Sequence, residues 1–205
     1  MALRARHADL SEQEVVAAAL RVVAREGAGR LTMRALAVEL GLSSTASYYH
    51  VPSKTVLFEL VADAILADVE VPPPGGSWDE RLRRMFISAR VQLSRYPGVA
   101  QLLLNRTTHT ANTRRLADEL AVMLHDAGFD GAEAAFLSEA FVVYLFGRVT
   151  YETRALAPTW KPGPPLRPTA RPGAAADAAA GGFEIGLDLL IDGVRQRIAL
   201  ASPGG

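Results

Sequence analysis

The sequence predicts an all-α protein of about nine helices in two unequal domains, and three observations carry that expectation. Apolar residues recur at helical spacing along the chain, with no competing strand alternation. Serine, threonine and aspartate stand just before many of these stretches, where their side chains can cap free backbone N–H groups. The run Val71-Pro72-Pro73-Pro74-Gly75-Gly76 continues no helix, because proline lacks the donor and glycine the stiffness. It divides a domain over residues 1–70 from a larger one over 77–202.

Composition narrows the class. The chain has 205 residues, 49% of them apolar, enough to bury a sizeable core. The absence of cysteine removes disulfides, thiolate nucleophiles and cysteine zinc sites, and fits a reducing cytoplasm. No apolar run reaches membrane-spanning length and no secretory leader follows the charged start, so a soluble protein with no membrane partner is expected. His7, His50, His109 and His125 are dispersed, without metal spacing. There is also no glycine-rich phosphate loop and no His-Glu-x-x-His, so neither an enzyme nor a metal or cofactor is expected. Lys+Arg and Asp+Glu balance at 22 each, which makes any basic footprint a local one.

The elements follow in order. Leu10-Ser11-Glu12-Gln13-Glu14 reads as a capping box with Leu10 placed to staple onto Val15, opening a helix whose Val15, Val16, Ala19, Leu20, Val22 and Val23 run down to a left-handed cap at Gly27. Thr32 caps a short second helix carrying Leu36 and Leu40. Gly41 permits the tight corner, and Ser43 caps a two-turn third helix over residues 44–50 that Pro52 closes. Ser53 caps a connecting helix over 53–68, with Leu57, Leu60, Val61, Ala64 and Ile65 on one face.

Past the proline run, Ser77-Trp78-Asp79-Glu80 reads as a second capping box. Its helix turns Leu82, Met85, Phe86, Ala89 and Leu93 inward until Tyr96-Pro97-Gly98 interrupts it. A short helix over 97–104, a longer one over 110–127 and another capped by Asp130 with Glu133 come next. Residues 157–182 hold six of the twelve prolines among alanine and glycine, the composition of a disordered loop. Phe183, Leu187, Leu190, Ile191, Val194 and Ile198 then mark a last amphipathic helix.

Two short helices joined by Gly41, with an apolar first helix to support them, match the plan that places a recognition helix in the major groove. The third helix, Ser44-Thr45-Ala46-Ser47-Tyr48-Tyr49-His50, carries hydroxyls and aromatics where a core helix would carry leucines. Tyr48 stays open between packing on the first helix and touching DNA. Arg30, Arg34 and Lys54 against Glu39 leave residues 30–54 with a net charge of +2, a modest footprint.

These stretches resemble the tetracycline-repressor (TetR) family through Leu31-Thr32-Met33-Arg34-Ala35-Leu36-Ala37, Leu40-Gly41-Leu42-Ser43 and Tyr48-Tyr49-His50-Val51-Pro52-Ser53-Lys54. Phe183 to Gly193 is similar to the closing helix of a subgroup that includes drug-sensing repressors. The resemblance implies a homodimer that binds palindromic double-stranded operator DNA and is released by a small effector. It places Arg34, Ser44, Thr45, Ala46 and Tyr48 at bases, and Thr32, Tyr49, His50 and Lys54 at phosphates. The guanidinium fork of Arg34 suits guanine O6 and N7, and Lys54 stands at a helix N-terminus that also favours an anion. Ser47 departs from the larger apolar residue common in the family.

The C-terminal domain is expected to hold the effector and the dimer interface. Phe136, Leu137 and Ala140 with Leu187, Leu190, Ile191 and Val194 form the expected interface, an isologous four-helix bundle. A pocket for a small, largely hydrophobic ligand is drawn from Phe86, Leu104, His109, Met123, Phe141, Tyr144 and Arg148, although for the aromatics and methionine plain core is the stronger reading. For Arg148, pairing with Glu152 at i+4 is favoured over ligand contact. The alternative function is a helical module that uses the helix-turn-helix to bind a protein partner.

Overall fold

The computed structural model describes residues 10–43, 48, 50–105, 110–154 and 175–201, and all regular structure among them is helical. Eight α-helices follow one another: α1 (Glu12–Glu26), α2 (Met33–Leu40), α3 (Lys54–Ala67), α4 (Trp78–Ser94), α5 (Val99–Leu104), α6 (Ala111–Asp126), α7 (Gly131–Thr153) and α8 (Ala175–Ala201). A 3-10 turn spans Ala28–Arg30. Of the helix expected over 44–50, Tyr48 and His50 are helical, while Ser44, Thr45, Ala46, Ser47 and Tyr49 lie outside the described residues.

Local chemistry starts four of these helices. Ser11 and Glu14 close a full capping box, Glu14 N–H donating to Ser11 Oγ at 3.3 Å and Ser11 N–H to Glu14 Oε2 at 2.9 Å. Thr32, Ser53 and Thr110 accept from Ala35 N–H at 3.0 Å, Val56 N–H at 3.2 Å and Thr113 N–H at 3.3 Å. Each such cap stabilises its helix by about 1 kcal/mol. Gly41 takes the left-handed conformation at φ 69°, ψ 29°, and Leu42 N–H reaches back to Ala37 O at 2.8 Å.

Four local expectations are corrected. Gly27 has φ 83° but ψ 157°, outside the left-handed helical region, because the chain turns there so that Ala28 N–H can donate to Pro97 O at 2.8 Å. Ser77 makes no cap bond: its hydroxyl engages Asp79, whose carboxylate also draws in Arg195 from α8. Burial raises the Asp79 pKa, but the hydrogen bonds from Ser77, Arg195 and Glu80 N–H outweigh it and hold the group below the usual aspartate value. Asp130 likewise leaves its cap and accepts from His125 Nδ1 at 2.7 Å. Finally, the loop expected to reach 182 ends by Ala175, where α8 begins, and 155–174 lies outside the described residues. Alanine is the strongest helix former, and Ala175, Ala176, Ala178, Ala179 and Ala180 open a helix that continues through the buried Phe183.

The His125–Asp130 pair bridges the end of α6 and the start of α7. The carboxylate's hydrogen bond and charge raise the imidazole above its ordinary 6.5. A raised folded-state pKa means that any stabilisation is fully present below about pH 6.5 and fades as pH rises through the raised value. An NMR titration should place His125 above 6.5, and Asp130→Asn should return it towards that value.

One core runs through the molecule. Val15, Ala18 and Val22 of α1 join Leu57, Val61 and Ile65 of α3, Leu82 and Phe86 of α4, Phe141 and Leu145 of α7, and Phe183, Leu187 and Ile191 of α8 in a single buried cluster. Helix α3 packs on α1 as well as on α4 and α6, so it belongs to both halves of the chain. Helices α7 and α8 approach closely at Tyr144, which donates to Phe183 O at 2.7 Å and lies where a Cβ on Gly186 would fall 2.8 Å from Cζ. Gly186→Ala should therefore displace the Tyr144 ring and cost about 1–3 kcal/mol of stability in urea unfolding; an unchanged midpoint would contradict this packing.

Candidate DNA interface and effector cavity

Two capped helix starts carry Thr32, Arg34 and Lys54, three of the residues expected to face DNA. Thr32 caps α2 and leaves Arg34 exposed in its first turn. Ser53 caps α3 and leaves Lys54 exposed at its N-terminus. Tyr48 is 54% exposed, which favours surface contact over packing on α1, and His50 is half-buried beside the fully buried Val51. Glu39, the acidic residue in this stretch, is tied to α1: Arg21 Nε donates to it at 2.7 Å and Arg25 at 3.2 Å, and these bonds hold its pKa below the usual glutamate value. Thus Glu39 is neutralised from behind, while no ion pair among the described residues engages Arg34 or Lys54.

The larger half holds a cavity of about 270 Å³. Its wall is formed by Leu66 and Val69 at the end of α3, Met85, Phe86 and Ala89 of α4, Leu103 of α5, Thr113, Leu116, Ala117 and Leu120 of α6, and Val142, Leu145 and Phe146 of α7. Of the residues expected there, Phe86 alone takes part among the described ones. Met123 and Phe141 are buried core, the latter 5.6 Å from Phe86 ring to ring. Leu104 is 43% exposed, because the adjacent Leu103 takes the inward face of α5. Tyr144 is spent on α8, and Arg148 donates to Glu152 at 3.0 Å beside Arg90, the favoured pairing. His109 lies outside the described residues. The i, i+3, i+4, i+7 spacing of Thr113, Leu116, Ala117 and Leu120 was the available signal for the α6 wall.

A polar clasp lies beside the cavity. Asp63 of α3 accepts from Asn112 N–H at 2.8 Å and from Asn112 Nδ2 at 3.0 Å, at the N-terminus of α6. Arg115 returns the contact, donating to Leu66 O at 3.0 Å at the end of α3. Burial raises the Asp63 pKa, but the bonds from Asn112 and Thr110 and the charge of Arg115 bring it below the usual value. Each helix thereby satisfies a terminus of the other. A lone aspartate inside Val61-Ala62-Asp63-Ala64-Ile65 was the visible sign of such a partner.

The last two helices carry two apolar stripes each. Phe141, Leu145 and Val149 of α7 and Phe183, Leu187, Ile191 and Val194 of α8 face the protein's own core. This removes Leu187, Ile191 and Val194 from the expected dimer interface, and Leu190 is partly buried. The outward stripes are Phe136 at 71% exposure, Ala140, Val143 and Gly147 on α7, with Ile185 and Leu189 on α8.

A capped helix-turn-helix standing on a cavity-bearing helical body is the architecture of a helix-turn-helix transcription regulator. Residues 15–61 match the family model for bacterial regulatory proteins of the tetR family, and residues 71–198 match that for the tetracyclin repressor-like C-terminal domain. The class E tetracycline repressor of Escherichia coli is 32% identical over 148 residues, 71% of this chain and 70% of that protein. An HTH-type transcriptional regulator of Saccharopolyspora erythraea is 29% identical over 145 residues, 70% of this chain but 61% of that protein, less than two thirds of its length. A TetR variant from Acinetobacter baumannii AYE in complex with minocycline superposes with a TM-score of 0.74 at 26% identity, covering 93% of this chain and 99% of that one. The chain belongs to the TetR family of bacterial regulatory proteins, DNA-binding transcription factors and not enzymes.

Proposed function

We propose that the chain is a homodimeric repressor in the bacterial cytoplasm, held on the nucleoid at a palindromic operator and released by a small, largely hydrophobic effector in the 270 Å³ cavity. The observation that carries this reading is α3. Its first residue, Lys54, stands beside the DNA-facing segment, and its last turn supplies Leu66 to the cavity wall. Fourteen helical residues form a rod roughly 21 Å long, so an effector that pushes on Leu66 and Val69 shifts the base of the recognition unit directly. Asp63 and Arg115 tie that rod to α6, another cavity wall, and thus couple both sides of the bound molecule to it.

Arg34, Ser44, Thr45, Ala46 and Tyr48 read bases in this account, while Thr32, Tyr49, His50 and Lys54 hold phosphates. The Thr32 oxygen caps α2, and its hydroxyl proton remains available to a phosphate. Residues 1–70 form the DNA-binding unit and 77–202 the effector and dimer unit, joined by α3. Dimerisation uses the outward stripes around Phe136, Ala140, Val143, Ile185 and Leu189.

Repeated selection of a random duplex pool on the purified chain should enrich a two-fold symmetric sequence with half-sites about 34 Å apart. Recovery of no consensus would leave protein contact as the use of the helix-turn-helix.

A further inference from the structure

The cavity's polar inventory defines the class of molecule it accepts, an inference that rests on the effector reading above. Among the described wall residues Thr113 carries the one polar side chain, and its hydroxyl donates to Thr110 O at 2.9 Å. A helix end would ordinarily leave carbonyls open to a ligand, yet Leu66 O in the last turn of α3 and Val69 O just beyond it accept from Arg115 at 3.0 and 3.5 Å. Apart from Leu103 in the last turn of α5, the remaining wall residues present hydrocarbon and thioether surface from within α4, α6 and α7, where backbone groups bond one another.

A charge or a row of hydroxyls brought against the described wall would lose its water and meet a single threonine hydroxyl, a large penalty. A ring of carbon atoms would instead meet Phe86, Phe146, Met85 and Leu120. We infer that the effector is an uncharged, hydrocarbon-rich aromatic or alicyclic molecule, and that this chain rejects tetracyclines despite its kinship with their repressors. Minocycline carries a cationic amine and a continuous edge of hydroxyl, keto and amide groups, and the described wall meets that edge with one threonine hydroxyl.

The full chain is to be titrated with N-phenyl-1-naphthylamine, a neutral aromatic dye that brightens in apolar surroundings, and separately with minocycline plus magnesium. Saturable dye binding at one molecule per chain is expected, with no competition from minocycline. Ala117→Phe, a change at a partly solvent-facing wall position, should weaken the dye about ten-fold by filling the space, with the unfolding midpoint reported alongside to show that the variant is folded. Saturable minocycline binding at this site would overturn the inference. So would failure of the dye to bind, or dye binding indifferent to Ala117→Phe in a folded variant. Dye binding without any enriched operator would instead defeat the regulator reading and leave the ligand class standing.

Discussion

Phe136→Arg combined with Leu189→Arg yields a folded monomer that no longer holds operator DNA. Both side chains are open to solvent in the single chain, at 71% and 68% exposure, so replacing them removes no core contact. In an isologous dimer each appears twice about the two-fold axis, and the double variant brings four guanidinium groups onto the apolar seam. An uncompensated charge buried in this way costs about 3–5 kcal/mol, enough to move a micromolar or tighter dimer into the monomer range. Sedimentation equilibrium should show half the wild-type mass with an unchanged unfolding midpoint. A double variant that sediments as a dimer would place the interface elsewhere.

Arg34→Ala is expected to weaken binding to the selected operator by about 10- to 100-fold, the worth of one bidentate contact at about 1–3 kcal/mol. Arg34 is exposed in the first turn of α2 and free of ion pairs with described residues, so the loss falls on recognition and not on folding. Binding to random duplex should change little. Lys54→Ala should act differently, weakening operator and random DNA alike and lowering the salt slope by about one. Equal effects of the two substitutions on both kinds of DNA would remove Arg34 from base reading.

The fold was legible wherever local chemistry decides it. Ser11, Thr32, Gly41 and Ser53 act as caps because their side chains or left-handed backbone satisfy groups within four residues. Ser77 and Asp130 escaped that reading because Arg195 and His125 compete for the same polar groups from elsewhere, and Arg195 lies more than a hundred residues away. The helix expected over 44–50 rests on Ser43 and Pro52 at its two ends, and five of its seven residues lie outside the described ones.

The cavity and dimer face were harder for a related reason. Periodicity shows that α7 and α8 are apolar on two sides, but not which side their own chain covers. Leu187 and Leu189 look alike in sequence, yet one is fully buried and the other 68% exposed. For the aromatics named as pocket candidates plain core is the stronger reading in the sequence, and Phe141 does fill the core, whereas smaller residues, Ala89, Thr113 and Ala117, leave the space. A cavity forms where side chains fall short of one another, and that shortfall depends on several helices at once.

The central claim is that this chain grips DNA through residues 32–54 and selects among sequences. Its most direct test is a titration of wild-type protein against the selected operator and a random duplex across a salt series. The account predicts operator affinity that falls linearly and steeply on a logarithmic salt scale, as phosphate contacts release counterions, with the operator held well above random DNA throughout. Affinity that ignores salt, or that is equal for both duplexes at every salt concentration, would contradict it.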